Sequence, residues 1–211
     1  MLQPADEPRR LARAVRQAAV LALLMLLSLS SYLAVLKWRG DAAVWVTRTA
    51  WDRHIPFRPE WVWVYLLPYL VGPVVAGSLS RPTFAWFVRR GLAAVLASLA
   101  VFVVCPTRTV RPTADGLGDG TTAALYRNMV GIDEPPANAA PSLHVSLTCL
   151  LALALVRDYP RWWPAATAGA GLVWLATLLT QQHHLIDVAT GILLAGALAL
   201  PWGRLLSEPE A

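Results

Sequence analysis

Leu179-Thr-Gln-Gln-His-His-Leu-Ile-Asp-Val-Ala-Thr-Gly191 lies between two long apolar runs and carries two adjacent histidines and an aspartate. In a regular helix His183 and Asp187 stand one turn apart and share a face; His184 and Asp187, three residues apart, do so as well. An aspartate in that position accepts the proton of one imidazole nitrogen, fixes the tautomer and leaves the other nitrogen free to attack. Ionisable groups at membrane depth are costly to bury and point to a functional site. A hydrogen-bonded pair that only locks two helices satisfies the same spacing, so the decision falls to the rest of the chain.

The surrounding sequence is apolar. Of 211 residues, 56% are hydrophobic and 15% charged, with a mean hydropathy of +0.49. That balance exceeds what an ordinary soluble domain carries and implies a single-domain, all-α integral membrane protein. Cys105 and Cys149 fall at or within apolar runs and do not make a disulfide framework. Lys37 is the only lysine among 18 basic residues, which fits a GC-rich bacterial coding bias. The formal charge of +5 is spread over the connections. It reads as membrane topology and contact with anionic lipid, not as a nucleic-acid surface.

Six apolar runs set the expected spans at about 18–36, 61–78, 91–105, 143–156, 162–180 and 184–202. The first follows Arg9, Arg10, Arg13 and Arg16; no small-x-small cleavage site follows it, so a retained helix is expected in place of a signal peptide. Residues 37–60 mix Trp38, Trp45 and Trp51 with Arg39, Arg48, Arg53 and Arg58, a composition suited to lipid headgroups. His54 belongs to this interfacial segment and reads as a surface residue. Arg81, Arg89 and Arg90 read as a short basic connection before the third span. The longest polar stretch, 106–141, is expected to be a functional loop.

Parity then constrains the layout. With six spans, the 106–141 loop and the 181–184 turn are the third and fifth connections and share one side of the membrane. An N-terminus placed inside puts ten basic residues inside and eight outside, counted from the sequence. That bias turns the shared side outward, towards the periplasm or exterior of a bacterial cell membrane.

Three polar clusters lie on that side. Pro106-Thr-Arg-Thr-Val-Arg-Pro112 offers Arg108 and Arg111 for bidentate capture of phosphate, although arginines meeting lipid headgroups have the same look. In Asn138-Ala-Ala-Pro-Ser-Leu-His-Val145, Ser142 suits the N-cap of the fourth span behind Pro141. Its helix start offers an anion cradle, with His144 in the first turn to move a proton. The third cluster is the opening stretch. Arginines, a helix end and two histidines on one face point to phosphoryl transfer, with one histidine attacking phosphorus and the other protonating the departing oxygen. A metal held by His144, His183, His184 and Asp187 is the weaker reading, because no familiar metal spacing appears and arginines would be unwelcome neighbours.

The arrangement resembles the type 2 phosphatidic acid phosphatase (lipid phosphate phosphatase) superfamily, whose motifs run Lys-x6-Arg-Pro, Pro-Ser-Gly-His and Ser-Arg-x5-His-x3-Asp. Arg111-Pro112 matches the end of the first motif, Pro141-Ser-Leu-His144 the second with Leu143 for glycine, and His183-x3-Asp187 the end of the third. The Pro-Ser-Leu-His form also resembles the branch containing inositol phosphorylceramide synthases. The chain departs from the motifs at Val104, Ala176 and Thr177, where lysine, serine and arginine are expected. Arg108 stands close enough in sequence to supply one missing cation.

The resemblance implies His183 as the nucleophile that forms a phosphohistidine and Asp187 as its orienting partner. His144 would serve as acid and then base, with Arg111 and Ser142 holding the phosphate. No cofactor or metal is expected, and the implied substrate is a lipid phosphate or pyrophosphate resolved by water. A transferase that passes the phosphoryl group to a lipid hydroxyl, and a non-catalytic scaffold or transporter, are the competing expectations.

Overall fold

The computed structural model describes residues 7–42 and 45–200. The end of the expected sixth span beyond residue 200, together with Arg204, lies outside them. The described residues form seven α-helices: α1 (Glu7–Arg39), α2 (Val62–Ser78), α3 (Arg81–Val104), α4 (Thr121–Ile132), α5 (Leu143–Asp158), α6 (Trp163–Leu179) and α7 (Leu185–Ala199). Two dipeptide strands, β1 (Trp45–Val46) and β2 (Thr107–Arg108), pair in parallel.

Four helical segments are long and apolar enough to cross a bilayer: Glu7–Ala42, Pro59–Ser78, Arg81–Val104 and Pro160–Leu179. They mark the chain as an integral membrane protein. Large apolar side chains on their outer faces agree, with Leu26, Leu70, Val74 and Leu96 each more than 60% exposed. At 16 and 15 residues, α5 and α7 are shorter than a standard span.

α5 is the central helix and packs on α3, α6 and α7, while α1 closes against α2 and α3. The shared core holds Leu21, Leu79, Phe87, Leu150 and Ala195, with alanines at 76, 94 and 154 permitting close approach. α6 packs on α5 and α2 and buries a small-residue face of Ala166, Ala170, Val173 and Thr177.

Three expectations change. α3 begins at Arg81, ten residues before the expected start of the third span, so Arg81, Arg89 and Arg90 are helical and not a connection. Ser80 caps that helix by accepting from the Thr83 amide, and Pro82 suits its first turn. The first helix likewise takes in the four arginines from Arg9 to Arg16. The 106–141 segment is not a plain loop: α4 crosses its middle and lies against α2 and the Pro59–Trp61 turn.

Candidate active site

α6 ends in a tight reversal. The Gln181 amide donates to the Leu178 carbonyl at 3.0 Å, and the Gln182 amide to the Thr177 carbonyl at 3.0 Å. Gln181 takes the left-handed conformation at φ 53°, so the reversal is a Schellman motif with glutamine where glycine is usual. His183 therefore sits in a turn, its own amide donating to the Thr177 carbonyl at 3.1 Å, and α7 starts only after His184. The regular helix expected through His183 and Asp187 is absent, yet the two side chains still meet. His183 Nδ1 lies 3.5 Å from Asp187 Oδ2, at the limit of hydrogen-bond reach. What brings them together is the helix start: Asp187 is the third residue of α7 and turns back to accept from the His184 amide at 2.7 Å.

The aspartate is fully buried and shared. Thr47 donates to Asp187 Oδ2 at 3.3 Å and lies 2.8 Å from His184 Nδ1. His184 is thus engaged away from His183. A second acid, Asp52, takes the Thr49 amide and hydroxyl at 2.6 Å each and the Leu185 amide at 2.8 Å. Burial alone would raise its pKa, but these hydrogen bonds outweigh it and hold the carboxyl below its ordinary value. The segment before α2 therefore caps α7.

A cavity of about 460 Å³ opens beside this turn. Its polar end is lined by Arg111, Asp133, Asn138, His144, Gln182 and His183, and its body by apolar residues of α1, α2, α3 and α5 that include Leu21, Leu24, Phe87, Val95 and Leu151. Ser142 caps α5 and accepts from the Val145 amide at 3.4 Å, which fixes His144 in the first turn. The His144 and His183 ring centroids are 6.1 Å apart. His144 is also held by two tyrosines one turn apart on α2: Tyr65 hydroxyl 3.3 Å from Nδ1 and Tyr69 hydroxyl 3.1 Å from Nε2. Every polar atom of the imidazole thus has a partner that can donate or accept.

Arg111 reaches the cavity from the far side of β2. The pairing of β2 with β1, the bridge from Arg108 to Ala137 and the Thr109 amide bond to the Pro136 carbonyl at 2.9 Å tie its strand down. Its guanidinium ion-pairs with the Asp133 carboxylate and donates to the Asp133 carbonyl at 2.9 Å; the carboxylate also accepts from the Tyr32 hydroxyl. The arginine side chain is only 6% exposed, and its buried Nε has no hydrogen-bond partner.

The structure thus gathers Arg111, His144 and His183 at the cavity, with Asp187 buried 3.5 Å from His183, and leaves Arg108 and Ser142 apart from them. Arg108 is exposed and contributes backbone pairing. Ser142 is fully buried at the start of α5, its amide donating to the Asp187 carbonyl at 3.1 Å. The motif departures also fall away from the cavity: Val104 is 82% exposed, and Thr177 is fully buried with its hydroxyl on the Trp174 carbonyl at 2.7 Å. Among the described residues, no three His, Cys, Asp or Glu side chains cluster as metal ligands would.

Sequence reasoning missed Asp133, Tyr32, Thr47, Asp52 and the tyrosine pair. Only Tyr65-x3-Tyr69 carried a usable signal, two phenols at helical spacing inside an apolar run. No protein-family model, curated protein or solved structure matches this chain.

Proposed function

We propose that the protein is a six-crossing membrane enzyme that hydrolyses a lipid phosphate monoester or pyrophosphate through a phosphohistidine. α5 and α7 are its two short crossings, and the site faces outward from a bacterial cell membrane. The observation that carries the reading is the placement of His144 and His183 opposite one another, 6.1 Å between centroids, at the polar mouth of an apolar cavity. An apolar body with a few convergent polar groups suits a ligand whose tail lies in the membrane and whose head must be fixed.

Asp187 orients His183 through Nδ1 and leaves Nε2 for in-line attack on phosphorus. As the Nε2–P bond forms, the P–O bond to the lipid breaks. The departing oxygen takes a proton from His144, displacing the Tyr69 hydroxyl at Nε2. Water then attacks the phosphohistidine, gives its proton to His144 and releases inorganic phosphate. Arg111 neutralises the phosphate oxygens, for which the substrate competes with Asp133.

Purified protein is expected to release inorganic phosphate from phosphatidate, lysophosphatidate or undecaprenyl pyrophosphate in EDTA, and His183→Ala to abolish the release. Turnover that survives His183→Ala refutes the nucleophile, and turnover lost in EDTA but restored by a divalent ion refutes the metal-free chemistry. Head-group exchange between lipids without phosphate release would assign the same histidines to a transferase.

A further inference from the structure

A second hollow, of about 720 Å³, opens at the other end of the helix bundle between α1 and α3. Arg9, Arg13, Arg16 and Gln17 of α1 line it, facing Arg81 and Phe84 of α3. The α1 residues recur at helical spacing and present one face. Nineteen residues of continuous helix separate Arg13 from Tyr32 at the Asp133 end, roughly 28 Å along the axis. The hollow is therefore remote from His183 and has no part in the chemistry proposed there.

Two features set it apart from the arginines that commonly flank a membrane span. Four arginines share the lining, and among the described residues no acid joins them there: Glu7 is the only acid of α1 and does not line the hollow. Asp158, at the same end, is taken up by Ser80 and Thr83. More telling is Gln17, only 5% exposed, whose amide nitrogen and oxygen are both buried with no hydrogen-bond partner; Arg13 Nε is in the same condition. A topology signal needs charge near headgroups but no buried, unpaired carboxamide, which is costly unless something else satisfies it. α1 packs closely on α2 here: at Gly77 of α2 a β-carbon would come within 2.9 Å of the Ala14 carbonyl oxygen.

We infer that this hollow binds a phosphate-bearing anion. Guanidinium forks match phosphate oxygens in pairs. The Gln17 amide donates to a further oxygen, and its carbonyl accepts from a headgroup or phosphate hydroxyl. Val20 and Phe84 give the hollow an apolar wall at the membrane side. The phosphate comes either from a lipid headgroup of the adjacent leaflet or from a soluble phosphate.

The test is native mass spectrometry of the delipidated full chain titrated with dioleoylphosphatidylglycerol, a phosphodiester, and separately with inorganic phosphate. One adduct per chain is expected in excess of any held at the Arg111 site, which an Arg111→Gln background removes. Arg13→Gln should weaken it about fivefold, Gln17→Leu by a similar factor, and Arg161→Gln not at all. Gln17→Leu should also raise the melting temperature of the ligand-free chain, because it removes an unpaired amide while keeping the side chain's bulk. Phosphate binding without phosphatidylglycerol binding, with the same variant pattern, identifies the soluble source. Binding that ignores Gln17→Leu, or falls as much in Arg161→Gln as in Arg13→Gln, overturns the site and leaves only diffuse charge.

Discussion

Gly191 offers the sharpest test of how the fold positions the two histidines. It lies one turn past Asp187, within α7, where alanine would ordinarily stabilise the helix by about 0.5–1 kcal/mol. A β-carbon there would stand 2.8 Å from the Ser142 carbonyl oxygen and 3.0 Å from Val145 Cβ. Ordinary contact begins near 3.4 Å, so α5 and α7 must part by about 0.6 Å. The Ser142 carbonyl cannot turn aside, because it accepts from the Ser146 amide at 3.0 Å and hydroxyl at 2.7 Å. Overpacking of this kind costs about 1–3 kcal/mol, which outweighs the helix gain. Gly191→Ala should therefore lower the melting temperature in detergent by about 2–8 °C. His144 follows Ser142 by two residues and moves with it, away from His183. If a 1 Å misplacement costs about a hundredfold, 0.6 Å should reduce phosphate release roughly tenfold. Gly196→Ala is the control: a β-carbon there meets nothing within 4 Å, so stability should rise slightly and turnover stay unchanged. A Gly191→Ala protein as stable and active as wild type, or equal damage from Gly196→Ala, would refute the close-approach argument.

Three further outcomes are expected. Asp133→Asn frees Arg111 from its internal carboxylate, so KM for a lipid phosphate should fall about tenfold while the ligand-free protein loses stability that phosphate restores; an unchanged or higher KM counts against Arg111 as the phosphate holder. Thr47→Val keeps the shape but removes the hydroxyl between His184 and Asp187, which should cost about 1–3 kcal/mol of stability and lower kcat more than it raises KM. Asp158 accepts from the Ser80 amide at 2.6 Å and the Thr83 hydroxyl at 2.6 Å; burial pulls its pKa up, but these bonds hold it below the usual carboxylate value. Its contribution is therefore complete above the unfolded value of about 3.9 and is lost as pH falls through the lower folded value. The melting-temperature gap between wild type and Asp158→Asn should be constant near neutrality and close only in acid, and a gap that widens on acidification would contradict this.

Hydropathy read α2, α5, α6 and α7 nearly to the residue at one or both ends because each is bounded by proline, tryptophan or polar residues. It failed at Arg81–Arg90, where charged side chains lie within a helix whose start is marked only by Ser80 and Pro82. α4 escaped because a 12-residue helix of mixed polarity inside a Pro- and Gly-rich stretch carries no spanning signal. In the site, local spacing left His183 and His184 equal as partners of Asp187, and the motif resemblance alone chose His183; the cap at Ser142, two residues ahead of His144, was legible from Pro141-Ser142. The contacts across the fold were not legible: Tyr32 to Asp133 spans 101 positions and Thr47 to Asp187 spans 140. Long-range partners of this kind leave no periodicity, and Gln181 in place of glycine hid the reversal that carries His183 out of the helix.

Asp187 also separates structural demand from chemical capacity. The start of α7 is buried and presents unpaired amides that the fold must satisfy. Asp52 takes the Leu185 amide and Asp187 Oδ2 takes the His184 amide, so a carboxylate at this position is explained by capping alone. Capping does not explain Oδ1, which is buried and has no hydrogen-bond partner, nor does it explain His183 Nδ1, which is equally unpartnered and 3.5 Å from the same carboxylate. Two complementary groups, donor and acceptor, are held just out of register at the mouth of a cavity. Nδ1 already stands 3.5 Å from Oδ2, and catalytic hydrogen bonds commonly tighten from such distances only when substrate is bound. A cap that served the fold alone would have no use for a histidine left unpaired beside it. The unspent oxygen and the unpaired nitrogen together favour a nucleophile and its orienting partner over a helix lock.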